Sequence, residues 1–419
     1  MKIEVYKKRR EKLKKIITEQ SDGKPFICAL FSGTSPNLER YIADSNFFYL
    51  TGIEIQGTSY VIIFDGKNFS EVLFLPPPNP IKARWEVVEL SSGHLDKYGN
   101  ADDERRKAIK ETGFDTVLPN YEIFDYLTKP LNLVKEIYLD FSYPSTIGST
   151  TALRFWNEIN KIMPNIQVKN LREIITKLKT IKDNFEIAKI RKAVDIAIEA
   201  QNTIMDILNP GIYEYEIEAV VKYIFIKNCT QGESFASIIA SGKNSTILHY
   251  NQNKKKILTN ETVVCDLGVK KEFYCSDLTR TYPSSGKFTK EQRIYYETVL
   301  EAQQIALETI KVGVSISEIN KKVAEFYKKK GMDKYNFHGV SHHLGIDVHD
   351  GGSIDEPLQE NSVITVEPGL YNQQKKIGIR IEDDVIVKKN GVEIISKELI
   401  KELIDIEKRL SKPRRTVII

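Results

Sequence analysis

The stretch FHGVSHHLGIDVHD (residues 337–350) holds His338, His342, His343 and His349, four of the chain's six histidines. Imidazole is the commonest metal ligand and carries protons near neutral pH, so this clustering points to chemistry rather than packing. The acids that could join it lie elsewhere. Asp266 ends the apolar run VVCDLG, and Asp277 follows eleven residues later in EFYCSDLTRTYP. Two strands joined by a hairpin would set both carboxylates on one face. The plainer alternative makes Asp266 a turn residue and pairs Asp277 with Arg280. Glu367 closes TVEPG just before a Pro-Gly turn, either as a functional group or as a loop acid. In GIRIEDDVIV (378–387), a strand puts Arg380, Glu382 and Asp384 on one face and Ile379, Ile381 and Asp383 on the other. A carboxylate inside such an apolar segment is costly unless it is paired, for instance with Arg380, or bound to a metal.

Taken together, these acids and one or two imidazoles make a site rich in hard oxygen ligands. That composition suits a dinuclear centre for Mn²⁺, Co²⁺, Fe²⁺ or Zn²⁺ better than a cysteine-rich structural zinc site. The His338–His342 spacing resembles a helical zinc pair, but Gly339 and Gly345 argue against a helix, and no Glu follows His338 as a zinc-protease helix requires. No GxSxG elbow, P-loop or GxGxxG fingerprint occurs. Cys265 points away from Asp266 in a strand and reads as core. Cys275 shares a face with Asp277 and could line the site.

The elements that must position these residues come in two textures. Up to about residue 170, helix-like segments (4–19, 101–111, 121–128 and 150–162) alternate with strand-like ones (26–31, 59–64, 71–75 and 136–140), which predicts an α/β domain. PPPNP at 76–80 can be neither helix interior nor central strand. A long helical region follows, expected to break near Lys182-Asp183 with Asp183 as an N-cap and to stop at Asn209-Pro210-Gly211. The second half also repeats itself. EAQNTIMDILNPGIYEYEIEAVVKYIFIKN (199–228) lies on EAQQIALETIKVGVSISEINKKVAEFYKKK (301–330) at an offset of 102 without a gap. TVVCDLG (262–268) then lies on VITVEPG (363–369), setting Asp266 opposite Glu367, and His249 falls opposite His349 at an offset of 100. Two similar α/β halves about a pseudo-two-fold axis follow, with carboxylates meeting at the seam.

At 419 residues the chain has room for two domains. A net charge of only +4, with basic and acidic residues interspersed, predicts neither a nucleic-acid nor a membrane partner. The basic N-terminus is followed by no apolar run, no stretch approaches the ~20 apolar residues of a membrane span, and the four cysteines show no CxxC spacing. A cytoplasmic protein is expected.

Asp266, Asp277, HGVSHHLG, TVEPG and RIEDD, in this order on a duplicated scaffold, resemble the pita-bread metallopeptidases, a family that includes methionine aminopeptidase, prolidase and Xaa-Pro aminopeptidase. RYIADSNFFYLTGIE (40–54) is similar to a segment of the aminopeptidase P N-terminal domain, which methionine aminopeptidases lack. The resemblance implies an N-terminal α/β domain (1–170) that builds the oligomer and covers the site, and a duplicated α/β pita-bread domain (171–419) that carries it. It implies two divalent ions, Mn²⁺ foremost with Co²⁺, Zn²⁺ or Fe²⁺ as alternatives. Asp266 would bind one ion bidentately, Asp277 and Glu382 would bridge both, and His342 and Glu367 would complete the second. A hydroxide shared between the ions would be the nucleophile, with Glu367 handling its proton. His249 and His349 would flank the substrate, His338 would hold it and relay protons, and Arg380 would orient the acids. His343 would stand outside the site, and His94 would be a surface residue. Trp85 falls near a tryptophan of that domain that reaches a neighbouring subunit's site; the alternative is a buried core residue. The implied activity is release of the N-terminal residue before proline by a homodimer or homotetramer. Prolidase-like cleavage of Xaa-Pro dipeptides is the rival, and a creatinase-like amidinohydrolase or a non-catalytic binding module is more remote.

Overall fold

The computed structural model describes residues 2–35, 41–85, 87, 90–96, 99–141 and 151–412. The chain divides into two compact units, Met1–Leu178 and Lys179–Ile419. The division falls later than residue 170 because the segment just beyond 170 still packs on the first unit: Leu171, Ile174 and Ile175 are buried, and the Tyr49 hydroxyl donates to the Leu178 carbonyl at 3.0 Å.

The first unit contains α1 (Lys2–Gln20), β1 (Phe26–Phe31), α2 (Ser45–Thr51), β2 (Ser59–Phe64), β3 (Phe69–Leu75), α3 (Asp103–Thr112), β4 (Thr116–Pro119), α4 (Ile123–Leu131), β5 (Glu136–Leu139), α5 (Thr151–Ile162), β6 (Gln167–Asn170) and α6 (Arg172–Thr180), whose last two residues lie beyond the division. Its six strands form one mixed sheet in the order β4-β3-β2-β1-β5-β6. One face of the sheet, with Ile27, Val61, Phe74 and Ile137, buries Leu127 and Leu131 of α4 and Phe155 and Ile159 of α5. Sequence patterning located β1, β2, β3 and β5 and missed β4 and β6, four-residue strands with partly exposed positions. Arg40 and Thr150, which begin two of the expected segments, lie outside the described residues. Trp85 is 85% exposed, so the core alternative for it does not hold.

The second unit is a duplication. Its first half is α7 (Asn184–Ile207), α8 (Glu214–Lys227), β7 (Gly232–Glu233), β8 (Ile238–Ser241), β9 (Thr262–Leu267), β10 (Val269–Lys271), β11 (Tyr274–Cys275) and β12 (Leu278–Pro283). Its second is α9 (Lys290–Thr309), α10 (Ile316–Lys329), β13 (Val363–Val366), β14 (Gly369–Asn372), β15 (Ile377–Arg380), β16 (Asp383–Lys388), β17 (Gly391–Ile394) and α11 (Leu403–Leu410). α7 starts where local chemistry dictates. The Asp183 carboxylate accepts from the Glu186 N–H at 2.9 Å while the Glu186 carboxylate accepts from the Asp183 N–H at 3.0 Å, a reciprocal capping box. α7 and α9 end 102 residues apart, and α8 and α10 begin and end at the same offset, so the repeat seen in the sequence is structural.

Each half continues as strand, hairpin, strand. β9 pairs antiparallel with β12, Asp266 opposite Thr279, while β10 and β11 form a separate hairpin between them. Asp266 and Asp277 are therefore not partners across one simple hairpin; Asp277 sits just before β12. In the second half β13 pairs with β16, and β14 with β15. GIRIEDDVIV is accordingly two strands rather than one, broken at Ile381-Glu382, because each part takes a different ladder partner. The halves join where β12 meets the β15–β16 corner. The Glu382 N–H donates to the Thr279 carbonyl at 3.0 Å, the Arg380 N–H to the Thr281 hydroxyl at 3.0 Å, and the Gly378 N–H to the Ser245 hydroxyl at 2.8 Å. Gly378 is required there, since a Cβ would lie 1.8 Å from the Ser245 carbonyl oxygen. Among the described residues no helix is long and apolar enough to cross a membrane.

Candidate metal centre

Asp266, Asp277, His342, Glu367, Glu382, His249, His338, His349 and Arg380, drawn from both halves, line one cavity of about 520 Å³. Phe235, Ile238, Leu248 and Val348 form its apolar wall. His343, Cys275 and His94 do not line it. His343 is buried against Gly352, where an added Cβ would fall 2.2 Å from the imidazole.

The strands deliver the acids and the histidine segment closes over them. Residues 340–344 run along the edge of β13: the Glu367 N–H donates to the Val340 carbonyl, the Thr365 N–H to His342, and the Leu344 N–H to Val363, at 2.8 to 3.0 Å. That pairing points the His342 side chain at the acids. Its Nδ1 lies 3.1 Å from the His343 carbonyl, which can only accept, so Nδ1 donates there and the lone pair of the neutral imidazole, the form that binds a metal, falls on Nε2. Nε2 lies 3.4 Å from Asp277 Oδ2 and 3.6 Å from Glu367 Oε1. Among the described residues, Asp277, His342 and Glu382 are grouped so that one ligand atom of each lies within 4.8 Å of the others. Asp266 offers Oδ2 to Arg380 Nη2 at 2.6 Å, and its buried Oδ1 has no hydrogen-bond partner.

Four carboxylates in so small a space repel one another. Burial, reinforced by the neighbouring acids, pushes the Asp277 and Glu382 carboxyls well above the usual carboxylate range. Burial lifts Glu367 to about 7 against the pull of His342. A divalent cation relieves this strain by pairing with the ionised forms. The orphaned Asp266 oxygen, the free His342 Nε2 and the hard-oxygen donor set therefore fit a metal ion.

Side chains around the acids hold them in turn. Thr279 Oγ1 donates to Glu382 Oε2 at 2.6 Å and accepts from Arg380 Nε at 3.2 Å. Arg380 Nη1 donates to the Tyr371 hydroxyl at 2.8 Å. His338 Nδ1 lies 2.6 Å from the Gly339 carbonyl and so donates to it. Nε2 is then the acceptor for the Tyr371 hydroxyl at 2.8 Å. A continuous relay runs from Arg380 through Tyr371 to His338. Burial drops the His338 pKa to about 4 and lowers that of His349, so both imidazoles are neutral at pH 7. The His349 ring meets His342 edge-on, with centroids 4.4 Å apart. Arg280 does not pair with Asp277; it binds Asp383 at 2.7 Å. Nor does Arg380 pair with Glu382; its carboxylate partner is Asp266.

Sequence reasoning missed Tyr371 and Thr279. A hydroxyl two residues after a glycine was the available signal for Tyr371, since a Cβ on Gly369 would fall 2.3 Å from the Tyr371 oxygen. Nothing local marks Thr279.

Residues 188–389 match metallopeptidase family M24, and residues 6–138 match the aminopeptidase P N-terminal domain. An Xaa-Pro aminopeptidase of Haemophilus influenzae is 31% identical over 87% of each chain. An Xaa-Pro dipeptidase of Pyrococcus furiosus is 29% identical over 93% of this chain and 98% of its own. Aminopeptidase P of Escherichia coli, solved with the inhibitor Pro-Leu, superimposes with a TM-score of 0.84 at 26% identity, covering 99% of this chain and 100% of the other.

Proposed function

Because the chain belongs to metallopeptidase family M24, in its aminopeptidase P branch, we propose that it removes the N-terminal residue from peptides with proline in second position. One observation carries this reading. Four carboxylates and an imidazole with a free Nε2 converge in a single cavity, beside neutral histidines able to meet a substrate. Asp266, Asp277, His342, Glu367 and Glu382 are assigned as ligands of two divalent ions, Mn²⁺ foremost. When bound, such ions polarise the scissile carbonyl and make water a nucleophile at neutral pH.

The chain's own groups do the rest. Glu367 takes a proton from the attacking water and returns it to the leaving nitrogen of proline. His249 and His349 stabilise the oxyanion that develops on the carbonyl, and neutral His338 holds the substrate. Arg380, locked to Asp266 and Tyr371, orients the acids. The apolar wall of Phe235, Ile238, Leu248 and Val348 suits an X–Pro bond, which lacks an N–H and keeps a rigid ring. We further assign the protein to the cytoplasm, as a homodimer or homotetramer assembled through its N-terminal domain.

The likeness to an Xaa-Pro dipeptidase sustains one rival, a prolidase restricted to dipeptides. Chelator-stripped enzyme refilled with Mn²⁺ should cleave an Xaa-Pro-Xaa tripeptide. Cleavage of the Xaa-Pro dipeptide alone would establish the rival, and no cleavage with any of Mn²⁺, Co²⁺ or Zn²⁺ would remove both.

A further inference from the structure

The repeated tripeptide Glu-Ala-Gln, at 199–201 and 301–303, places Gln201 in α7 and Gln303 in α9 at equivalent positions. Both side chains are completely buried. Gln201 Nε2 donates to the carbonyls of Cys265 at 2.8 Å and Leu278 at 3.0 Å, and Oε1 accepts from the Tyr282 hydroxyl at 2.9 Å. Gln303 Nε2 donates to the carbonyls of Val366 at 3.1 Å and Ile381 at 3.2 Å, and Oε1 accepts from Lys401 Nζ at 2.8 Å. Each of these four carbonyls belongs to a residue adjacent in the chain to a carboxylate of the cavity: Cys265 to Asp266, Leu278 to Asp277, Val366 to Glu367, and Ile381 to Glu382.

We propose that Gln201 and Gln303 are a matched pair of positioning residues, each holding at fixed spacing the two metal-binding carboxylates that its own half supplies. The proposal rests on the assignment of those four acids as metal ligands. A primary amide suits the task. Its two N–H bonds diverge at a fixed planar angle from one nitrogen, so the carbonyls they bind are held at one separation. The amides cannot turn over, because two backbone carbonyls need donors on one side while a lysine ammonium, in the second half, needs an acceptor on the other. A buried glutamine that merely satisfies carbonyls would need no relation to the ligands. Here both members of the pair, in separate halves, select the peptides bordering all four acids.

The decisive measurement is Mn²⁺ titration of chelator-stripped, full-length protein, with circular dichroism to verify folding. Wild-type protein is compared with Gln201→Met and Gln303→Met, which keep the volume and lose the donors, and with Tyr282→Phe, which only unpins the Gln201 amide. The expected result is a weakening of Mn²⁺ binding by about 10- to 100-fold in each folded methionine variant, and by a smaller factor in Tyr282→Phe. Excess Mn²⁺ should restore much of kcat, with KM for an Xaa-Pro tripeptide little changed. Variants that melt earlier yet bind Mn²⁺ as wild type does would overturn the proposal by reducing the glutamines to structural roles. If the methionine variants fail to fold, unchanged affinity in Tyr282→Phe has the same consequence. Wild-type protein that binds no Mn²⁺, Co²⁺ or Zn²⁺ would instead overturn the metal-centre reading, and this proposal with it.

Discussion

The two halves of the catalytic unit share a scaffold and differ in what they hang on it. β8 pairs with β9 as residues 340–343 pair with β13, so Ala240 occupies in the first half the place His342 holds in the second, 102 residues on. Where equivalent positions meet each other, they have become complementary. Thr279 donates to Glu382, and Arg280 binds Asp383, each pair 103 residues apart in the chain. Identical copies would bring like against like at such an axis, and two buried carboxylates there would repel. The connecting loops diverge further. The His249 loop is gathered by the buried Glu214 carboxylate, which accepts from the Ser241 N–H and hydroxyl, the Tyr250 hydroxyl and the Lys255 N–H at 2.7 to 2.8 Å. The equivalent of Glu214 is Ile316, and the His349 loop is tied down by Asp350 between Lys179 at 2.9 Å and Lys182 at 3.1 Å. Duplication therefore supplies the carboxylate platform and the His249–His349 pair, while His342 and the anchors of the two histidine loops come from what was not kept alike.

That contrast can be broken most severely at its least symmetric residue. His342→Ala should abolish divalent-ion retention and essentially all peptide hydrolysis, whereas His349→Ala should keep its ions and lose on the order of 10²–10³ in kcat. Metal content by atomic emission, measured beside the rates, separates the two, and equal metal loss in both would erase the division of labour. At the axis, Arg280→Met removes one of the two cations on the buried Asp383, leaving Lys401 at 2.7 Å, and should cost about 3 kcal/mol in urea unfolding. Replacing Glu214 by Gln keeps the shape but loses charge and acceptors, and should cost about 1–3 kcal/mol. Its damage should fall on His249-dependent rate rather than on metal content.

The platform itself should show in the pH dependence of stability. Carboxyls raised in the fold stabilise it while protonated, so Glu367 contributes below about 4.5 and its contribution is lost as pH climbs to about 7. Asp277 and Glu382 act in the same sense. Asp350 and Asp383, held down to about 2 chiefly by their lysine and arginine partners against the cost of burial, behave oppositely and lose their contribution only as pH falls from about 4 to about 2. Metal-stripped protein should thus melt progressively earlier between pH 4.5 and 7, and Mn²⁺ should flatten that slope. The smallest effect belongs to the surface. Lys330→Ala, which breaks an exposed pair with Glu301, should change stability by less than about 0.5 kcal/mol and leave both halves working.

Much of this was legible in residue order, and the misses share a cause. The Asp183 cap, the paired helices and the acids opposite one another in the repeat depend on neighbours within a few residues or on a fixed offset. Short β4 and β6, with little apolar alternation, carried too weak a signal. The strand break at Ile381-Glu382 comes from two different ladder partners, which alternation along one segment does not reveal.

By itself, the sequence determined the chemical inventory and its rhythm: hard-oxygen acids, one histidine-rich segment, and a helix pair repeated at an offset of 102. Tertiary structure alone decided who meets whom. Arg380 was a plausible partner for Glu382 two residues away, yet it binds Asp266 across 114 residues, and Arg280 left Asp277 for Asp383. The physical reason is that capping and periodicity are satisfied within a turn or two of chain. The charge partner of a buried side chain is instead set by which strands the pseudo-two-fold axis brings together.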